Sequence, residues 1–248
     1  MQIHGIRLSF VWLALVLCVT TFASAQGTWT ESADNNDSYI GLLFGGNLGG
    51  SISGGSIQAT QGGTTSSASI SGLTPAKGFA AGGEAGWYKD SGNSAGIGVE
   101  DLVVTGGLAS SNISLAGTTF GLDKFNATQN FLLVNGLLRF LAQKPRWGIW
   151  YPCIGAGFGF VSGSISNATT NASGYSLNSK PAGDFRIGVA ATRDSGLGFS
   201  AEYQVLISGF SMILPTTTSS YAPPISGSLS GTAINSVLDV GLSYHFHL

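Results

Sequence analysis

The sequence contains few charged residues and almost no cysteine, and both shortages exclude classes of protein. Asp, Glu, Lys and Arg make up 9% of the 248 residues, whereas globular domains average about 25%. A soluble domain needs more charge than this to stay dissolved. Cys18 lies in the N-terminal apolar run, which leaves Cys153 alone, so no disulfide framework is predicted. The net charge of −2 argues against nucleic acid as a partner, because such partners require a basic patch.

The N-terminus has the charge, length and cleavage pattern of a secretory signal peptide. Residues 1–7 carry one firm positive charge, residues 8–20 are apolar, and Ala23-Ser24-Ala25 is a small-residue cleavage site. A membrane anchor is the alternative, but the apolar run is shorter than the ~20 residues of a spanning helix. We therefore expect residues 1–25 to be a cleavable signal peptide and residues 26–37 to be a short periplasmic segment.

Long apolar runs are also absent after the signal peptide, where the sequence has shorter segments that are typical of β-strands instead. Eight such segments are separated by clusters of Gly, Ser, Thr, Asn and Pro. Each comes close to the roughly 9–11 residues with which a tilted strand crosses a bilayer. The segments are residues 38–48, 78–88, 94–104, 130–141, 149–161, 183–193, 197–208 and 236–246.

The connections between these segments alternate between long and short. The long ones are residues 49–77, 105–129, 162–182 and 209–235. Outer-membrane barrels have short periplasmic turns and longer external loops. The sequence therefore predicts an all-β, eight-stranded antiparallel up-and-down transmembrane β-barrel over residues 38–248, with four long external loops and periplasmic termini. The chargeless stretch of residues 49–74 is interpreted as a low-complexity linker rather than a structured ligand site.

The last segment shows most clearly which face of a strand meets lipid. Successive side chains of a strand point to opposite faces. One face would carry only bulky apolar residues, which are Leu238, Val240, Leu242, Tyr244 and Phe246. The other would carry Val237, Asp239, Gly241, Ser243 and His245. Because there are too few charges to coat a soluble barrel, we expect the bulky face to point to lipid and the smaller, polar face to point to the lumen.

The same alternation points a set of charged side chains into the lumen. They are Glu84, Glu100, Arg139, Asp184, Arg186, Glu202 and Asp239. An eight-stranded barrel is just wide enough for side chains to fill it, and buried charges must be paired or hydrogen-bonded. We therefore expect Arg139 and Arg186 to bridge the carboxylates into a polar network that plugs the lumen. The alternative is that these charges flank unconnected water pockets.

Asp101 does not fit this scheme, because strict alternation turns its side chain toward lipid. A β-bulge near residues 99–101 or a position near the membrane interface would each resolve the conflict. Aromatic residues, in contrast, collect where the scheme expects them, beside the predicted short turns. Candidates for a membrane-interface girdle are Trp87, Trp147, Trp150, Tyr244 and Phe246. Ordinary packing aromatics are the alternative for any one of them.

Three segments resemble a known group of membrane proteins. Residues 151–160, with their alternating glycines, residues 38–45 and residues 240–246 are similar to strands of the small outer-membrane β-barrel superfamily, the opacity-type and OmpA/OmpX-like transmembrane barrels. The resemblance implies a monomer in the bacterial outer membrane, surrounded by lipid and lipopolysaccharide. It also implies a C-terminal strand that the barrel-assembly machinery recognises. Two positions depart from the pattern: Cys153 stands where the family often has tyrosine, and His247-Leu248 extends past the terminal aromatic residue.

These features predict a structural or interaction role for an outer-membrane barrel with surface-exposed loops and a largely plugged lumen. A narrow passive channel for small solutes is the alternative, and a lipid A-modifying enzyme is a third. Asp239, Ser243, His245 and His247 share one face of the last strand and include the residue types of a catalytic triad, although Ser243 and His245 are only two residues apart. We expect no enzyme activity and no cofactor. We also expect no metal site, since two histidines are too few ligands to form one.

Overall fold

The computed structural model describes residues 36–61, 63–70, 74–89, 94–109, 112–115, 118–121, 125–140, 149–167, 173–193, 195–219 and 222–247. The signal peptide and residues 26–35 of the periplasmic segment lie outside these residues and stay predictions. No helix in the described part of the chain has the length and apolar character to span a membrane.

The described structure is built from β-strands. Their bounds in chain order are β1 Asp37–Gln61, β2 Thr64–Ile70, β3 Thr74–Pro75, β4 Gly78–Tyr88, β5 Ser94–Ala109, β6 Asn112–Leu115, β7 Thr118–Gly121, β8 Phe125–Arg139, β9 Ile149–Asn167, β10 Ser173–Thr192, β11 Leu197–Ser219 and β12 Ala222–His247.

Eight of these strands close into one antiparallel barrel. In space they follow the order β12-β11-β10-β9-β8-β5-β4-β1, and β1 pairs with β12 to complete the ring. Every neighbouring pair in the ring is antiparallel. The predicted eight-stranded up-and-down barrel is therefore confirmed. β2 extends the sheet beside β1, β3 pairs with β5, and β6 and β7 form a separate hairpin.

The barrel strands reach further than the sequence predicted. We call the end that holds Asp37 and His247 the terminal end, and the opposite end the loop end. β1 and β12 run for 25 and 26 residues, and their ladder extends to the pair Thr60–Ser226 near the loop end. The linker interpretation of residues 49–74 is wrong wherever that stretch is described, because β1 and β2 occupy most of it. Sequences rich in Ser and Thr are typical of loops, but here the backbone groups of this stretch form hydrogen bonds between strands.

The outer face of the barrel is a belt of large apolar side chains. Phe44, Phe158 and Leu238 are 55%, 74% and 53% exposed. Soluble monomers rarely expose a contiguous apolar patch larger than a few hundred Å². A closed antiparallel ring also leaves no unpaired strand edge in hydrocarbon. The belt and the closure together make this chain a transmembrane barrel.

The core of the molecule is its lumen. Along β8 the inward side chains between residues 129 and 139 are buried. From the terminal end they are Arg139, Leu137, Asn135, Leu133, Phe131 and Gln129. The charged side chains of the interior therefore lie toward the terminal end, and an apolar layer separates them from the polar Gln129. This apolar layer consists of Leu43, Ala80, Leu102, Val104, Phe131, Leu133, Val161, Ala182, Leu206 and Val237.

Candidate functional site in the barrel lumen

Arg186, on β10, is the centre of the charged half of the lumen. Its guanidinium donates from Nε and Nη2 to Asp184 Oδ2 at 3.1 and 3.0 Å, and Nη2 also donates to Glu100 Oε2. Nη1 lies 3.8 Å from Glu84 Oε2 and 3.6 Å from Glu202 Oε2. β4 and β5, which carry Glu84 and Glu100, stand across the ring from β10. One buried cation therefore joins opposite walls of the barrel.

Glycines on β9 make room for this cation. A Cβ on Gly155 would lie 2.9 Å from Arg186 Cγ, and a Cβ on Gly157 would overlap the side chains of Asn135 and Asp184. Asn135 uses the space: with its amide oriented to suit both neighbours, the nitrogen donates to Asp184 Oδ1 at 2.9 Å and the oxygen accepts from Arg186 Nη2 at 2.5 Å. Because glycines alternate along this strand, the space that their side chains would otherwise fill is occupied by the polar network.

Arg139, on β8, holds a second cluster nearer the terminal end. Its Nη1 donates to Asp37 Oδ2 at 2.5 Å. The guanidinium carbon lies 4.0 Å from the ring centre of Tyr88 and 4.8 Å from that of Tyr151, within the range of cation–π attraction. Asp37 was predicted to belong to the periplasmic segment, but it is the first residue of β1 and is buried.

Asp37 also begins a hydrogen-bonded chain with two residues of β12. Its Oδ1 lies 3.0 Å from His245 Nδ1, and His245 Nε2 lies 3.1 Å from Ser243 Oγ. The imidazole stacks on Tyr39, with ring centroids 5.5 Å apart. The sequence grouped Ser243 and His245 with Asp239 on the same strand. In the structure their carboxylate partner comes from β1 instead.

Asp239 and Cys153 also lie in the charged half of the lumen. Asp239, on β12, is 1% exposed and opposes Glu202 on β11. Within the described residues, neither of its carboxylate oxygens has a hydrogen-bond partner. Cys153 Sγ donates to Glu202 Oε1 at 3.7 Å. The described lumen therefore opposes the guanidinium groups of Arg139 and Arg186 with the carboxyl groups of Asp37, Glu84, Glu100, Asp184, Glu202 and Asp239.

All the charged residues that were predicted to face the lumen lie there, but they form two separate clusters and not one network. Glu84, Glu100, Asp184 and Glu202 surround Arg186, whereas Arg139 joins the terminal cluster. Asp37 and Asn135 were not predicted to belong to the network. Both share the alternation of known inward residues, so the period of the strand could have indicated their direction. Their partners could not be inferred, since those depend on which strands face each other across the ring.

Asp101 lies half-buried on the outer face of β5. β5 pairs with β4 and β8 without a register shift here, and Asp101 opposes Gly83 and Leu132. The suggested bulge at residues 99–101 is therefore wrong. Among the girdle candidates, Trp87, Trp150 and Tyr244 are 38%, 44% and 39% exposed near the terminal end, and Phe246 is partly exposed. Trp147 lies outside the described residues.

Solved structures that are similar to this chain have low sequence identity to it. No family model and no curated protein matches the chain. The outer membrane protein OprG from Pseudomonas aeruginosa is similar with a TM-score of 0.53 and 10% identity, over 87% of this chain and 99% of that one. Neisserial surface protein A (NspA) has a TM-score of 0.41 and 14% identity, over 81% and 95%. Ail, the attachment invasion locus protein of Yersinia pestis, has a TM-score of 0.29 and 11% identity, over 81% and 98%.

The likeness to OprG is one of fold and carries no information about activity. It agrees with the two independent features described above, the closed antiparallel ring and the apolar belt. These are the defining features of outer-membrane barrels, which have an outward apolar band and an interior of different polarity. The chain is a small transmembrane β-barrel of the outer-membrane type, and we place it in a bacterial outer membrane on these grounds.

Proposed function

We propose that this protein has a structural or interaction role in the outer membrane and that its lumen is closed to solutes. The observation that carries the proposal is the apolar layer. Leu102, Phe131 and Leu133 point into the lumen and are 0% exposed. An eight-stranded barrel is narrow enough for its side chains to fill it. On the terminal side of this layer, charge-assisted hydrogen bonds from Arg186 hold opposite walls together.

The extended strands supply the interaction surface in this proposal. β2, β1, β12 and β11 form a continuous sheet toward the loop end. Their residues 49–61, 64–70, 209–219 and 222–235 carry no charged side chain. We propose that this end faces the cell exterior and that the termini face the periplasm. The C-terminal strand would then be presented to the barrel-assembly machinery, and outer-membrane lipid and lipopolysaccharide would surround a monomer.

Liposome swelling tests the closure of the lumen. The refolded protein is incorporated into liposomes, which are then diluted into isotonic glycine or arabinose. We expect swelling no faster than that of protein-free liposomes, while liposomes with a general porin swell rapidly. Swelling that increases with the amount of this protein would contradict the proposal.

The narrow-channel alternative is favoured by one feature, the excess of carboxyl groups on the terminal side of the lumen. A path past the apolar layer would meet these groups and would therefore pass cations better than anions. Faster swelling, followed by a cation preference in current recordings, would support this alternative. The third possibility, a lipid A-modifying enzyme, predicts altered lipid A in the mass spectrum of cells that overexpress the protein. We expect unaltered lipid A.

A further inference from the structure

We propose that Ser243 is a nucleophilic serine, activated by His245 and Asp37, that accepts the acyl group of small uncharged esters in the terminal half of the lumen. The closed-barrel role does not require this chemistry. The two proposals can therefore fail independently, because one is tested by solute passage and the other by acyl transfer.

The order of the hydrogen bonds is that of a serine–histidine–carboxylate relay. An ionised carboxylate only accepts hydrogen bonds, so Asp37 Oδ1, 3.0 Å from His245 Nδ1, places the ring proton on Nδ1. The lone pair of Nε2 is then directed to Ser243 Oγ at 3.1 Å. In this tautomer the imidazole can take the hydroxyl proton as Oγ attacks a carbonyl carbon.

Other contacts hold the imidazole in this orientation. Asp37 is fixed from its other oxygen, because Oδ2 accepts from Arg139 Nη1 at 2.5 Å. The ring of His245 stacks on Tyr39. Both Asp37 and His245 are buried, at 3% and 7% exposure. A catalytic group is effective only when its neighbours hold it in the productive geometry, and these contacts meet that condition.

Glycine neighbours make room for the contact between Ser243 and His245. Ser243 has glycine as its ladder partner on both sides, Gly198 on β11 and Gly41 on β1. A Cβ on Gly198 would overlap Ser243 Oγ and lie 2.8 Å from His245 Nε2. Any larger residue at position 198 would therefore displace the serine or the histidine. Ser243 is itself only partly buried, and it lines a cavity in the terminal half of the lumen.

The walls of this cavity indicate the substrate class. Ser243 and His245 share it with the aromatic side chains of Tyr39, Tyr88 and Tyr151. Glu84 and Glu202 also line it, which disfavours anionic substrates. The serine faces the lumen and not the apolar belt, so acyl chains of membrane lipids do not reach it. A neutral ester with a small acyl group meets these conditions of charge and location.

The reaction proceeds by ordinary acyl transfer. Ser243 Oγ bonds to the ester carbonyl carbon while its proton moves to His245 Nε2. The ester C–O bond then breaks, and the leaving alcohol departs with that proton. An acidic alcohol departs as its anion instead, and the imidazolium then releases the proton to water. Water, activated by the same imidazole, later releases the carboxylic acid and restores the serine. Arg139 and Arg186, each paired with carboxylates, line the same cavity and offset part of its negative charge.

The test uses p-nitrophenyl acetate and the refolded full-length protein in detergent micelles. We expect a burst of p-nitrophenolate of about one equivalent per barrel, as for a covalent intermediate. Peptide mass spectrometry should find the acetyl group on Ser243. Ser243→Ala should abolish both signals. Ser208→Ala, which removes a buried lumen hydroxyl outside this cavity, should leave both unchanged. A folded wild-type barrel without a burst, or an equal burst from Ser243→Ala, would overturn the proposal.

Further variants separate chemistry from folding. Each is first checked for the mobility shift that folded barrels show on unheated electrophoresis. Should Ser243→Ala fail to fold, Ser243→Cys keeps a nucleophile in place and should take the acetyl group as a thioester; a folded cysteine variant without this adduct would overturn the proposal. His245→Ala should lose the burst and regain it with free imidazole. Absence of rescue in a folded variant would count against His245 as the base.

Asp37 is a positioning residue in this scheme, so its test needs a readout beyond stability. Asp37→Asn can present an amide N–H to the ring and favour the wrong tautomer. We expect the maximal acetylation rate to fall by about a hundredfold or more. The ester concentration for half-maximal rate should stay unchanged. An unchanged maximal rate in the folded variant would remove Asp37 from the relay.

Discussion

The two halves of the lumen are built by the same strands but are stabilised in opposite ways. In the apolar layer, Phe131 and Leu133 are removed from water on folding, and burial of each such side chain contributes about 1.5–3 kcal/mol to the free energy of unfolding. In the charged half, Arg186 meets four carboxylates, and that pairing mainly offsets the cost of removing charge from water. The apolar layer therefore contributes stability and closure. The charged half contributes specificity, because an ion pair across the ring is satisfied in only one strand arrangement.

Arg186→Leu should have the largest effect on the charged half. The change leaves Glu100 and Asp184 buried without their cation. Removing one partner of a buried ion pair costs about 3–5 kcal/mol, and urea unfolding in micelles should show a loss of this size. Arg193→Leu is the matched control, since Arg193 directly follows β10 and is exposed; it should cost less than about 0.5 kcal/mol. Similar losses in both variants would argue against a special role for Arg186.

Leu133→Ala tests the apolar layer against its own outer face. Leu133 is 0% exposed in the lumen, while its chain neighbour Leu132 is 54% exposed on the belt. Cavity formation should make Leu133→Ala cost about 2–5 kcal/mol. Leu132→Ala should cost clearly less, because lipid or detergent fills the space that the side chain leaves. The comparison is made by urea midpoint in the same micelles. A larger loss for Leu132→Ala would place the stabilising core outside the lumen.

Asp239→Asn should have the smallest effect, and of opposite sign. Both oxygens of Asp239 lack a hydrogen-bond partner in the described structure, and the residue opposes Glu202. Removing a like charge from this pair should leave the free energy of unfolding unchanged or raise it by on the order of 1 kcal/mol. Asp184→Asn removes an acid that does bind Arg186 and should lower it by about 1.5–3 kcal/mol. A destabilised Asp239→Asn would show that this carboxylate is paired.

The direction of most side chains could be predicted from the sequence, whereas their partners could not. Period-two alternation is enough to place Leu238 outward and Asp239 inward, because it depends only on the local strand. The bond from Arg139 to Asp37 joins residues that are 102 positions apart. It depends on ring order and stagger, which no local pattern contains.

Strand length was the other part that the sequence could not show. Residues 49–61 are rich in Gly and Ser, which usually mark loops. They form a strand because the equally polar segment of β12 pairs with them, and that pairing is a property of two distant segments together. The candidate site follows the same rule. The sequence placed Ser243 and His245 on one face of the last strand. Their carboxylate partner, Asp37, is the first residue of β1, and no local pattern links it to them.

Single-channel recording in planar bilayers tests the central claim, that the apolar layer closes the lumen, most directly. Wild-type protein is compared with the double variant Phe131→Ala/Leu133→Ala, which removes two side chains from that layer. We predict no channel steps from the wild type. The double variant should give cation-selective steps, because carboxyl groups line the lumen on the terminal side. Wild-type steps of the same size as those of the double variant would contradict the account.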